Sequence, residues 1–222
     1  MRTKTLLLSA AAIAAGLLSA SAQVYSVNVV GYVNSTYHEG FQVVANPLDK
    51  DGTNLLSSVI GSQLPVNSEI YIWNGTTYNG STFTKNKAGT ATNWSPDVAI
   101  PPGLGFWVGI PTGSGNVTNT FVGNVMQGNL TNSNVVGGSG GFSIVGSQVP
   151  QAGGLTTTLK YNPQANDAVY TWANPGWTSY NYTKNKAGTS TNWDTEPTIA
   201  VGQGFWLATQ PGASWVRNFT VQ

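Results

Sequence analysis

The sequence predicts an all-β protein of two tandem homologous antiparallel modules, each a β-sandwich or barrel-like unit with short helical turns. Three observations carry this expectation. Short runs rich in Val, Ile, Tyr, Phe and Trp recur between Gly, Pro and Asn, the composition of strands bounded by turns. The 27 glycines and 11 prolines are too frequent for long helices. At an offset of 99, residues 71–107 align without a gap on residues 170–206, with 17 of 37 pairs identical, which marks an internal duplication.

Residues 1–22 read as an export signal. Arg2 and Lys4 give a cationic start, Leu6 to Leu18 an apolar run, and Ala20-Ser21-Ala22 a small-residue cleavage site. The mature chain is then expected to begin at Gln23 and to be secreted or held at the cell surface. The apolar run is shorter than the roughly 18 residues a spanning helix needs, and no later stretch reaches that length, so no membrane span is expected. The chain has no cysteine, so no disulfide framework exists and stability rests on packing and strand pairing. Without residues 1–22 the chain keeps seven basic and eight acidic side chains, which argues against a nucleic-acid partner. Its surface is built of Asn, Thr, Ser, Gly and Gln, and weak charge repulsion tolerates self-association.

Along the mature chain, Tyr25 to Tyr37 alternates, with Tyr25, Val27, Val29 and Val33 on one face and Ser26, Asn28 and Asn34 on the other, as in a strand with one packed face. Further strands are expected at Phe41 to Ala45, Glu69 to Trp73, Gly105 to Ile110 and Asn119 to Val125, each with a counterpart in the second copy. Asn54 to Ile60 reads as a turn or two of helix. Module 1 is assigned to residues 23–118, including the N-terminal strand 24–37, and module 2 to residues 119–222. The join falls near Gly113 to Asn119, and Gly137 to Gly141 is read as a flexible loop.

The phrases G-F-Q-V-V-A-N-P-L, L-L-S-S-V-I, I-Y-I-W-N-G and P-P-G-L-G-F-W-V, in that order, resemble a β-rich module found in secreted bacterial proteins. With the preceding V-Y-S-V-N-V-V-G-Y-V-N, the chain is similar to a group of exported bacterial repeat proteins. The resemblance implies an extracellular, mostly non-enzymatic accessory or surface protein of a bacterium and carries over no catalytic residue. Copy two departs from it at Val145 to Val149, where G-S-Q replaces A-N-P.

The phrase T-K-N-K-A-G-T stands at 84–90 and again at 183–189. Asn-Lys-Ala-Gly is turn chemistry, and lysines beside an edge strand discourage unwanted pairing. The functional reading makes Lys85, Lys87, Trp94, Lys184, Lys186 and Trp193 a doubled contact surface for an anionic or sugar ligand. Trp177 and Trp215, which lack a Trp counterpart, are added as sugar-stacking candidates. Gly103-x-Gly105-Phe106-Trp107 and its copy lack the third glycine and following helix of a phosphate loop, and read as strand entry with aromatic core residues. Asp49 and Asp51 form a weak calcium candidate without an EF-hand's closing Glu. His38 is the sole histidine, and Asp194 and Glu196, with Asp97 matching Glu196, lie too near in sequence to flank a sugar bond, so catalysis is not expected and no cofactor is assigned. Two functions follow. The first is a structural or surface protein that self-assembles into a homo-oligomer or homopolymer, its strand at Tyr25, Val27, Val29 and Val33 pairing with a neighbour. The alternative is a pair of carbohydrate-binding modules meeting a glycan surface.

Overall fold

The computed structural model of the protein describes residues 29–135, 140–173 and 175–221. The expected export signal, Tyr25, Val27, most of the Gly137–Gly141 loop and the neighbouring residue 136 lie outside them. The fold is all-β and antiparallel, with open sheets rather than a closed barrel. Among the described residues no helix is long and apolar enough to cross a membrane.

Two five-stranded sheets dominate. The first comprises β2 (Gly40–Ala45), β3 (Glu69–Trp73), β4 (Tyr78–Lys85), β5 (Thr92–Ser95) and β6 (Gly105–Ile110), in the order β2-β6-β3-β4-β5. The second comprises β9 (Gly141–Val145), β11 (Ala168–Ala173), β12 (Gly176–Lys184), β13 (Thr191–Trp193) and β15 (Phe205–Thr209), in the order β9-β15-β11-β12-β13. Equivalent strands occupy equivalent places. Two ribbons flank them, β1 (Val30–Tyr37) on β7 (Val117–Asn124) and β8 (Gly128–Thr131) on β16 (Val216–Phe219). The short helix α1 (Leu56–Val59) covers the first sheet, and β10 (Gly153–Gly154) pairs with β14 (Thr198–Ile199) beside the second.

The expected boundary at residues 118 and 119 falls inside β7. β7 bonds β1 over its whole length, and Val125 just beyond it donates its N–H to Val29 O and packs in the first core, so the first unit runs through Val125. The described part of the N-terminal strand pairs within its own chain. Its alternation is as read: Val33 and Tyr37 face the core, while Val30 and Tyr32 are 54 % and 72 % exposed.

Each sheet has a packed face set by period-2 alternation. In the first, Val44, Ile70, Phe83, Phe106 and Val108 meet Leu56 and Ile60 around α1, with Tyr37 and Phe121 closing the side. In the second, Val145, Val169, Phe205 and Leu207 meet Leu155, Leu159 and Trp215. The carboxylates at the matched positions 97 and 196 organise these covering segments. Asp97 accepts hydrogen bonds from Ser57 N at 3.0 Å and Ser57 Oγ at 2.5 Å, and Glu196 accepts from Thr156 N and Thr157 N, both at 2.7 Å.

The two units interlock reciprocally. Ala45 N donates to Gly202 O at 2.9 Å, and the equivalent Gly146 N donates to Gly103 O at 3.0 Å. Val44 bridges Gln203 as Val145 bridges Leu104. Glycine permits the approach. A Cβ on Gly105 would lie 2.7 Å from Val145 N, and one on Gly204 would lie 2.4 Å from Val44 O. Gly105→Ala and Gly204→Ala should each therefore destabilise the protein by about 3 kcal/mol through overpacking against backbone. Urea unfolding should show one cooperative transition shifted down in either variant, whereas loss of only half the transition would mean that the units fold separately.

Candidate functional site

The sheet faces opposite the cores are aromatic and face one another. Because Ile70 and Ile72 point inward, Tyr71 and Trp73 on β3 must point outward. Phe41, Tyr78 and Trp107 share that face, and Phe142, Tyr170, Trp172, Trp177 and Trp206 occupy the same positions on the second sheet. The ten rings line two clefts. The first, about 520 Å³, is bounded by Phe41, Tyr71, Tyr78 and Trp107 of the first unit and by Trp172 of the second. The second, about 400 Å³, is bounded by Phe142, Tyr170, Trp177 and Trp206 of the second unit and by Trp73 of the first. Each unit thus lends the other one tryptophan.

The lent side chains are pinned. Trp73 Nε1 donates to Phe142 O and Trp172 Nε1 donates to Phe41 O, both at 3.1 Å. Each ring then packs edge-to-face on a tryptophan of the other unit, Trp73 on Trp206 at 5.4 Å and Trp107 on Trp172 at 5.7 Å. Edge-to-face pairs at such separations add roughly 0.5–1.5 kcal/mol beyond their burial. In the first cleft, Trp107 Nε1 also donates to Tyr78 Oη at 3.2 Å. Burial, with a smaller contribution from the neighbouring Glu69 carboxylate, pushes the Tyr71 hydroxyl above its ordinary pKa, so the phenol stays neutral.

No charged side chain lines either cleft. Phe41, Tyr78, Phe142 and Trp177 nevertheless remain 41–53 % exposed. Contiguous exposed aromatic surface of this kind makes the clefts the candidate contact site of the fold.

Of the residues singled out from sequence, Trp177 lies in this site. Trp94 and Trp215 do not, and that expectation is corrected. They are 4 % and 3 % exposed, with their Nε1–H groups donating to Gly61 O and Leu159 O, so their ring faces are core. Trp193 is half-buried against the second core, donating to Thr156 Oγ1 at 2.8 Å. Phe106 and Phe205 are core as read, but Trp107 and Trp206 beside them turn outward into the clefts.

Lys85, Lys87, Lys184 and Lys186 are exposed around the turns at the ends of β4 and β12, and form no ion pair among the described residues. Lys85 stands seven positions after Tyr78 and Lys184 seven after Trp177, which puts each turn about 23 Å along its strand from the neighbouring cleft. The repeated phrase is a side-chain-anchored turn. Asn86 O accepts from Gly89 N and Asn86 Oδ1 from Thr90 N, both at 2.9 Å, and Asn185 does the same for Gly188 and Thr189. Both glycines sit at φ +69°, which asks for glycine. The strands that follow, β5 and β13, each form one edge of their sheet.

The carboxylates of the calcium candidate are already used as acceptors. Asp49 Oδ1 accepts from Gly52 N and Asn54 Nδ2, and Asp51 Oδ1 accepts from Thr53 N and Asn54 N. The Asn54 backbone bond, first among these, holds the Asp51 carboxyl below its usual range. Among the described residues no group of three acidic, His or Cys side chains is placed to hold a metal. His38 is exposed and bonds Asn116 Oδ1 at 2.9 Å.

Sequence reading missed most of the cleft because it assigned shared aromatics to the core. The available signal was strand β3, E-I-Y-I-W, which is apolar on both faces. A strand with two apolar faces needs two partners. No family model, curated protein or solved structure matches the chain.

Trp94→Ala and Trp215→Ala should each cost about 3–5 kcal/mol, as for large core aromatics, and Trp177→Ala about 1 kcal/mol or less. Chemical denaturation of the three variants checks this, and equal losses at Trp94 and Trp177 would contradict the assignment of core and cleft.

Proposed function

We propose that the chain is an exported, non-catalytic protein that binds neutral carbohydrate through its twin aromatic clefts. One observation carries this reading: the clefts are lined by aromatic side chains alone, four of them 41–53 % exposed, and the two tryptophans that cross between the units are held by hydrogen bonds to backbone. A sugar ring offers apolar C–H faces and a hydroxyl rim, so it stacks on such walls without needing charge. The Tyr78 hydroxyl, which accepts from Trp107 Nε1 at 3.2 Å, offers a polar group for sugar hydroxyls within the first cleft. The non-catalytic part is supported by the structural employment of Asp97 and Glu196 as acceptors at the covering segments, away from the aromatic walls.

Self-assembly is the second reading, and Tyr32 favours it. With Val30 it leaves an exposed apolar stripe on β1, a strand paired with β7 alone, whereas the outer edge of β7 is bonded to Asp49 and to the Gln63 side chain. In this form of the reading neighbours associate through the outer face or edge of the β1–β7 ribbon, since the inward face of residues 30–37 is already used in cis.

Titration with hydroxyethylcellulose and soluble starch should quench or shift the tryptophan fluorescence, and Trp172→Ala should lose most of the response. An unchanged spectrum with both polysaccharides would sink the carbohydrate reading. For the second reading, sedimentation velocity across a concentration series should show growing assemblies that Tyr32→Lys abolishes; a monomer at every concentration would end it.

A further inference from the structure

We propose that the two clefts form one track for a single neutral glycan chain, and that Gly80 and Gly109 make the first-unit end of that track the deeper, tighter-binding one. This rests on the carbohydrate reading and adds the form of the ligand and the residues that grade its affinity.

Continuity follows from shared walls. Trp172 lines the first cleft and Trp177 the second, yet their ring centres are 5.0 Å apart. Trp107 of the first cleft meets Trp177 at 5.7 Å, and Tyr78 of the first meets Trp73 of the second at 5.1 Å. On both sides the aromatic lining therefore passes from one cleft to the other without a polar break. A chain of linked sugars lying along these contiguous rings would reach both clefts at once, so the second contact would be intramolecular and gain from a high effective concentration.

Inequality follows from what lies beneath the rings. In the first unit Phe41 pairs across the sheet with Gly109, and Tyr71 with Gly80. A Cβ on Gly109 would lie 2.5 Å from Phe41 Cε1, and one on Gly80 would lie 3.0 Å from Tyr71 Cε1. Both rings thus lie down on bare backbone. At the same positions in the second unit, Phe142 pairs with Ala208 and Tyr170 with Ser179, whose side chains occupy that space. The wall residue differs too, Tyr78 against the larger Trp177. The cleft volumes, about 520 and 400 Å³, run in the direction these substitutions dictate.

The test is isothermal titration calorimetry with cello- and malto-oligosaccharides of increasing length, from the disaccharide to the hexasaccharide. One hexasaccharide should bind per protein, at least about tenfold tighter than the disaccharide, the gain expected from linking two contacts. Gly109→Ala should weaken hexasaccharide binding about fivefold or more by lifting the Phe41 ring, and Ala208→Gly should strengthen it. An unchanged melting temperature in Gly109→Ala would place the loss in the cleft, and Ala208→Gly reports independently should that variant fail to fold. Two hexasaccharides per protein, each bound no better than a disaccharide, would overturn the single track. Hexasaccharide affinity unmoved by both substitutions would overturn the role of the glycines. No heat with any oligosaccharide of either series would instead remove the carbohydrate reading itself, and the track with it.

Discussion

Backbone pairing between the two units, at a junction that only glycine can form, is the constraint on which the rest depends. Gly105 and Gly204 let the entries to β6 and β15 run against β9 and β2, where the reciprocal bonds of Ala45 with Gly202 and Gly146 with Gly103 join the units. The outer faces of the two sheets are thereby fixed opposite one another at side-chain distance. Without that approach, Trp73 and Trp172 would have no carbonyl to reach and no partner ring to lean on, and the clefts would lose a wall each.

This arrangement gives duplication a physical purpose. A single unit would expose an aromatic sheet face to water, an aggregation liability. Two units cover each other's face incompletely, and the remaining gaps are the clefts. Adhesion between the units and the candidate binding surface are consequently built from the same rings. The edge-to-face geometry of Trp73 with Trp206 and of Trp107 with Trp172 serves both. Other matched features of the duplication have local tasks: the carboxylates at 97 and 196 gather the segments over the cores, and the Asn-anchored turns at 86 and 185 close the outermost hairpins. The answer to why one phrase occurs twice is therefore mostly a turn, whose lysines stand beside edge strands that benefit from charge.

What the sequence by itself determined is whatever depends on neighbours along the chain. Period-2 alternation placed Val33, Val44, Ile70 and Phe106 on packed faces, Gly and Asn marked the turns, and the offset of 99 marked a duplication whose strands recur in two five-stranded sheets of matching order. Local chemistry also foretold the Asn-Lys-Ala-Gly turn. Tertiary structure alone decided the rest, because burial and approach are long-range properties. Trp94 and Trp177 look alike as aromatic residues in β-rich segments, yet one is sealed beneath Gly61 and the other stands at a cleft mouth, a difference set by elements far away in sequence. The chain likewise could not announce that β7 completes the first unit across the expected boundary, since its register with β1 spans more than eighty residues. Nor could it show that Trp73 and Trp172 cross to the opposite unit, because that exchange exists only once two sheets, each apolar on its second face, are brought together by glycines at their junction.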